Sequence, residues 1–279
     1  MDLWQAIVLG IVEGLTEFLP VSSTGHLTIA EKLIGLPVDA PAITAYTAVI
    51  QIGAIFAVLL YFARDLGRIT AGWARGLVNS DARRTQEYRF GWLIIMGSLP
   101  IIVVALAARS LIEGPLRSLW VVAGALIAWS AVMWFAERNP SQKKAEADLT
   151  TADVLTIGLV QCIALVPGVS RSGATISAGL LRGVDRVTAT KLSFFLGIPA
   201  LVGAGLYELP KAIGGPIGER IGVLPTVVGT VVSFAVAYAS VAWLLRFVAH
   251  HRITAFVPYR VLLGGALIVA LGAGWLSAT

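Results

Sequence analysis

Two short runs in this chain of 279 residues concentrate the groups able to do chemistry. The first carries Glu13, Glu17, Pro20, Ser22, Ser23, Thr24 and His26; the second carries Pro167, Gly168, Ser170, Arg171, Ser172, Gly173 and Thr175. Glu13 and Glu17 stand four residues apart and therefore share one helix face. In apolar surroundings two adjacent carboxylates do not both ionise without a counter-charge. Either one is protonated, or a divalent cation lies between them, or Arg171 neutralises them. Ser22, Ser23 and Thr24 follow a helix-breaking proline, a place that suits N-cap residues. The same geometry presents free N–H groups to a phosphate. Ser170, Ser172, Gly173 and Thr175 repeat the arrangement, so two such N-termini meeting at one point would cradle a diphosphate. The planar fork of Arg171 suits bidentate phosphate binding; an internal salt bridge to Glu13 or Glu17 is the structural alternative, and the two are compatible. His26 lies within one turn of Ser22 and Ser23. An imidazole there can deprotonate a serine or itself attack phosphorus.

These residues need elements that hold them, and composition names the medium. Hydrophobic residues make up 57% of the chain and charged ones 13%, with a mean hydropathy of +0.83. A soluble domain carries about 25% charged residues, so an ordinary soluble enzyme and a disordered chain are both excluded. The expectation is an all-α polytopic membrane protein, its backbone groups satisfied within each helix. Six stretches are long and apolar enough to span: 44–62, 91–109, 119–136, 189–208, 224–245 and 259–277. Two others, 4–36 and 153–183, are interrupted at Pro20 and at Pro167–Gly168. Each half is too short to span alone, which predicts a re-entrant hairpin of two broken helices. Cys162 is the single cysteine, so no intramolecular disulfide and no cysteine-based zinc site is expected. The first apolar stretch holds Glu13 and Glu17 and lacks a positive leader, so no cleavable signal peptide is expected.

The interrupted stretches resemble each other at an offset of 148. Over 7–36, eight of thirty positions are identical, among them Gly10/Gly158, Ser22/Ser170 and Gly35/Gly183, and Glu13 meets Gln161. The chain then reads as one integral membrane domain, 1–279, with repeat halves of about 1–150 and 151–279. Each half has a broken hairpin and three spans. Three is odd, so the halves insert in opposite directions, an inverted-topology repeat. Lysines and arginines divide fifteen to five between the two sides. The rich side comprises 63–90, 137–152, 182–191 and 246–260; the poor side holds Lys32, Arg109, Arg117, Lys211 and Arg220. The fifteen are assigned to the cytoplasm, which puts both termini outside. Arg171 is then the one basic residue placed deep. The net charge of +5 reflects basic loops rather than nucleic-acid binding.

With these residues in view, the chain resembles the bacterial undecaprenyl-diphosphate phosphatases, also called bacitracin-resistance proteins. The resemblance covers essentially the whole chain. It rests on Glu-Gly-Leu-Thr-Glu-Phe-Leu-Pro-Val-Ser-Ser-Thr-Gly-His at 13–26 and Pro-Gly-Val-Ser-Arg-Ser-Gly-Ala-Thr at 167–175. It implies hydrolysis of undecaprenyl diphosphate to undecaprenyl phosphate and inorganic phosphate, which recycles the lipid carrier of peptidoglycan and envelope polymers and confers bacitracin resistance. It also implies a multi-pass protein of the plasma (inner) membrane. It carries the family's glutamates onto Glu13 and Glu17, its serines onto Ser22, Ser23 and Ser170, and its histidine, arginine and threonine onto His26, Arg171 and Thr175. A divalent cation, Mg²⁺ or Ca²⁺, is implied as cofactor, with Glu13 and Glu17 as its ligands.

The expected mechanism places the diphosphate where the two breaks cross, with its polyprenyl tail in lipid or a lateral groove. Ser23 or His26 attacks the terminal phosphorus, or the two act together; direct attack by water is the rival. Glu17 serves as acid/base or orients His26, and Glu13 holds the cation or supports Glu17. The site is expected to open to the outer (periplasmic) face. A lipid-phosphate flippase or ion-coupled carrier is the alternative from another class, because inverted repeats with broken helices are also a transporter architecture. The sequence leaves the oligomeric state open, a homodimer included.

Overall fold

Prolines and small residues divide the apolar chain into twelve α-helices among the described residues. The structure, a computed structural model, describes residues 1–38, 40–113, 115–138, 141–213 and 221–278. Side chains at 109, 113, 115 and 208–213 lie outside that description. The helices are α1 (Leu3–Thr16), α2 (Ser23–Leu33), α3 (Pro41–Tyr61), α4 (Ala63–Val78), α5 (Gln86–Ala107), α6 (Arg109–Glu113), α7 (Leu119–Glu137), α8 (Thr151–Gln161), α9 (Arg171–Leu181), α10 (Arg186–Ile213), α11 (Val223–His250) and α12 (Val257–Gly272). No strand occurs among the described residues.

Six helices are long and apolar enough to cross a membrane: Pro41–Tyr61, Gln86–Ala107, Leu119–Glu137, Arg186–Tyr207, Val223–His250 and Ile253–Gly272. These are the six stretches expected from hydropathy. The chain is a multi-pass helical membrane protein. Both interrupted stretches break where expected. The first becomes α1 and α2, joined through residues 17–22; the second becomes α8, a short 3₁₀ turn over Cys162–Leu165, and α9.

Two expectations need correction. Residues 63–78, counted as basic loop, form α4, whose Arg68 pairs with Glu87 at the start of α5 at 2.7 Å. Arg260, counted with the same loops, is fully buried. The basic bias survives its removal from the count. On the sparse side, the side chains of Arg109 and Lys211 and all of Arg220 lie outside the described residues.

The short helices pack on spans far away in sequence. α1 lies along α11 and α3, whereas α8 lies along α5. Glycine makes both approaches possible. A Cβ on Gly10 would stand 2.6 Å from the Gly229 carbonyl oxygen, and one on Gly158 would run into the carbonyl oxygen of Gly97. Gly35 and Gly183, with φ of 75° and 81°, follow the ends of α2 and α9. Ser22 and Ser170 precede those helices with φ of 78° and 76°, and they are the two non-glycine residues at positive φ among the described residues. Each such residue costs about 1–3 kcal/mol unless its surroundings enforce it. Each of these pairs is separated by 148 positions. Phe18, in the first interruption, is fully buried and meets Phe194 of α10 edge-on at 5.4 Å. That contact fixes the segment carrying Glu17 against the core.

Gly158→Val is therefore expected to cost at least about 2 kcal/mol through overpacking, read as a lower melting temperature in detergent. Gly67, with open space around its Cβ position, is the control: Gly67→Ala should stabilise by about 0.5–1 kcal/mol. Equal melting temperatures for the two variants would contradict the close approach of α8 to α5.

Candidate functional site

The two interruptions meet side by side. The Gly168 amide donates to Ser22 Oγ at 2.9 Å, and Ser170 Oγ donates to the Leu19 carbonyl at 3.4 Å. Each break thus satisfies a backbone group of the other. The two serines have diverged in use. Ser170 also caps α9 by accepting from the Gly173 amide at 3.2 Å. Ser22 makes no such cap, and among the described residues no side chain caps the first-turn amides of α2. The Gly173 amide is accordingly committed to Ser170, and Gly173 offers no free donor here.

The cavity in front of the breaks has a volume of about 560 Å³. Its polar wall consists of Glu17, Ser22, Ser23, Thr24, Ser170 and Arg171, joined by Gln51 of α3. Its apolar wall comes from α5 and α10, including Ile101, Ala105, Ala200 and Ala204. Ser23 Oγ donates to Glu17 Oε2 at 2.7 Å. Arg171 donates from Nη2 to Glu17 Oε1 at 3.3 Å and from Nη1 to the Ser193 carbonyl at 3.1 Å. Glu17 thus holds a hydroxyl on one oxygen and a guanidinium on the other. A carboxylate in that geometry is chemically able to take a proton from a hydroxyl while a neighbouring cation steadies its charge. Gly197 makes room for this: any Cβ there would coincide with the Arg171 guanidinium.

Other residues from the motifs stand behind the cavity wall. Thr175 Oγ1 donates to Ser193 Oγ at 2.6 Å, on the residue whose carbonyl holds Arg171. Ser172 Oγ lies 3.1 Å from Ser170 Oγ. Glu13 is 1% exposed, and neither of its carboxyl oxygens has a hydrogen-bond partner among the described residues. Gln161, at the offset of 148, is equally buried and equally unpartnered. No group of three metal-ligating side chains occurs among the described residues.

His26 points elsewhere. Its Nδ1 lies 2.7 Å from the Ser22 carbonyl and its Nε2 lies 2.6 Å from the Tyr259 hydroxyl, with the two rings stacked. A carbonyl only accepts, so Nδ1 carries the proton and Nε2 accepts from Tyr259 in the neutral ring. Both nitrogens are engaged away from Ser23 and Glu17. Tyr259, Gln51, Ser193 and Gly197 were not singled out in the sequence. Gln51 was findable as the one amide inside an apolar span; the others carry no such signal.

Interrupted helices joined at a polar cavity, together with six apolar spans, define a polytopic membrane protein with a polar cavity where its interruptions meet. The comparison with known families is specific. The chain belongs to the family described as bacitracin resistance protein BacA, whose model matches residues 6–266. It is 55% identical over 278 residues to undecaprenyl-diphosphatase 1 of Streptomyces avermitilis, covering 99% of both chains. It is 55% identical over 280 residues to undecaprenyl-diphosphatase 3 of Frankia casuarinae, covering all of both. The undecaprenyl-diphosphatase of Corynebacterium diphtheriae is 46% identical over 274 residues, 98% of this chain and 96% of that one.

The Tyr259–His26 bond is testable on the purified protein. In a His250→Gln, His251→Gln background, Tyr259→Phe frees Nε2, and diethyl pyrocarbonate should modify His26 several-fold faster. An unchanged rate would show that Tyr259 does not hold that nitrogen.

Proposed function

We infer that the chain is an undecaprenyl-diphosphatase. It hydrolyses undecaprenyl diphosphate to undecaprenyl phosphate and inorganic phosphate, and its family name ties it to bacitracin resistance. One observation carries the chemistry: Ser23, Glu17 and Arg171 form a connected chain of hydrogen bonds in the wall of the cavity.

The proposed order of events begins with the diphosphate entering beside the first turn of α2. Its oxygens take the uncapped amides and the Arg171 guanidinium, which suits phosphate by its planar fork. Ser23 Oγ attacks the terminal phosphorus while Glu17 takes its proton. The bond from that phosphorus to the bridging oxygen breaks, and undecaprenyl phosphate departs with the bridging oxygen. Glu17 releases its proton to the departing phosphate oxygen. Water then attacks the phosphoserine phosphorus; Glu17 takes the water's proton and returns it to Ser23 Oγ as the Oγ–P bond breaks, and inorganic phosphate leaves. Arg171 and the α2 amides stabilise charge on the transferring oxygens throughout, the main contribution available in phosphoryl transfer. The polyprenyl tail lies along the apolar wall made by α5 and α10. Assigning attack to Ser23 rather than His26 is supported by the serine's bond to Glu17 and by the commitment of both imidazole nitrogens. His26 then serves to fix the Ser22 carbonyl at the start of α2.

A divalent cation fits Glu13. Two buried, unpartnered carboxyl oxygens call for a proton or a cation, and Mg²⁺ is commonly held by one or two carboxylates plus substrate phosphates and water. Glu13 and Glu17 are its proposed ligands. When bound, it would supply charge neutralisation at the diphosphate.

The matched roles of residues 148 apart support a reading of α1–α2 and α8–α9 as re-entrant hairpins in an inverted repeat. On that reading the basic loops are cytoplasmic, both termini are outside, and the cavity opens outward.

Two experiments test this. In detergent, where transport is impossible, the protein should release phosphate from the C55 diphosphate, and EDTA should reduce the rate. Ser23→Ala and Glu17→Gln should each lower kcat at least about 100-fold, while Arg171→Lys should raise KM about tenfold or more. Near-normal rates in all three, or no phosphate release by wild type, would overturn the reading. For orientation, a cysteine at position 36 in a Cys162→Ser background should react with a membrane-impermeant maleimide added outside intact cells. Reaction only in inverted vesicles would reverse the topology.

A further inference from the structure

Arg260 is the largest fully buried side chain among the described residues, yet it does not line the cavity. It occupies the first turn of α12, and among the described residues no carboxylate pairs with it. Its guanidinium is spent on neutral oxygens. Nη1 donates to the Pro20 carbonyl at 2.9 Å. Nη2 donates to the Gly168 carbonyl at 2.8 Å and the Val169 carbonyl at 3.2 Å, with Leu126 O at 3.4 Å. Nε donates to Ser130 Oγ at 3.2 Å.

Pro20 and Gly168 are 148 residues apart. One side chain therefore grips the same position in each interrupted pair. These carbonyls belong to residues two positions before Ser22 and Ser170, the two non-glycine residues held at positive φ among the described residues. Burying a cation without an anion is costly, and an apolar side chain of the same size would pack there at lower cost. What an apolar side chain cannot do is bond two carbonyls at a fixed spacing, and a lysine, with one nitrogen, cannot reproduce the fork.

We propose that Arg260 is a positioning residue for the phosphatase reaction: it bolts the two interruptions together so that the N-terminus of α2 and Arg171 at the start of α9 face one diphosphate. The proposal rests on the phosphatase reading for its kinetic consequence, but the clamp itself is read without substrate. Losing it should loosen the Ser22–Gly168 and Ser170–Leu19 bonds and displace Arg171 from Glu17.

The test compares Arg260→Lys with Gly264→Ala. Gly264 stands one turn further along α12, where a Cβ would meet the Ala123 carbonyl oxygen at 2.9 Å; that variant weakens the same α7–α12 contact without touching the interruptions. Arg260→Lys should lower kcat at least about 30-fold, since small misplacements in a site cost up to about a hundredfold. Hydrogen exchange over 19–25 and 166–173 should rise about tenfold. Gly264→Ala should lower the melting temperature while leaving kcat and exchange at those segments near wild type. If Arg260→Lys does not fold, Ser130→Ala removes the Nε partner together with that hydroxyl's own bond to the Leu126 carbonyl within α7; it should keep the melting temperature, lower kcat at least about threefold and raise exchange at both segments. The proposal is overturned if the variant tested leaves kcat and exchange unchanged, or if Gly264→Ala reproduces both effects. If wild type releases no phosphate, the phosphatase reading fails while the exchange comparison still decides the clamp.

Discussion

A helix interrupted among apolar neighbours leaves amides and carbonyls that water does not reach, and each costs about 1–3 kcal/mol if left bare. This chain carries two such interruptions, and the rest of the structure is arranged around satisfying them. Neither does so alone. Ser22 accepts from Gly168, Ser170 donates to Leu19, and Arg260 takes carbonyls from both. The mutual bonding explains why the positive φ values of Ser22 and Ser170 are tolerated: the turns are set by partners on the opposite break. It also explains the division of backbone polarity. Carbonyls of both interruptions are taken by Arg260, which does not line the cavity, whereas Ser23 and Thr24 of the first turn of α2 do line it.

The close glycine contacts serve the same end. Interruptions meet only if the short helices approach the long ones closely, and Gly10 on Gly229 and Gly158 on Gly97 permit that. Phe18 against Phe194 then pins the segment bearing Glu17. The result is a carboxylate whose two oxygens have different partners, one a hydroxyl and one a guanidinium. In the proposed mechanism, that asymmetry is what would let a single side chain accept a proton and remain charge-compensated.

Much of this was readable in the sequence because it is local. A proline followed by Ser-Ser-Thr, or by Gly-Val-Ser-Arg-Ser, marks an interrupted helix wherever it occurs, and the spans announce themselves by length and hydropathy. α4 was misread because Arg64, Asp65, Arg68 and Arg75 look like loop charge until their helical spacing is considered. Arg260 was misread for a related reason: it follows a basic segment in sequence but belongs to an apolar helix in space. Its partners are 92 and 240 residues away, and nothing in the local pattern points to them. The one available hint was a lone arginine within the first turn of Val257–Gly272. The direction of His26 was unreadable for the same reason, because its partner Tyr259 lies 233 residues away.

Ser23 and Arg171 occupy the same position, the first residue of α2 and of α9, 148 residues apart. One is a hydroxyl and the other a permanent cation. Two identical subunits related by a twofold axis would have to place the same residue at both points, and could offer two nucleophiles or two clamps facing each other. Joining the two elements in one chain removes that restriction. On the proposed mechanism, attack comes from one element and charge compensation from the other, and each position is free to change without altering its counterpart.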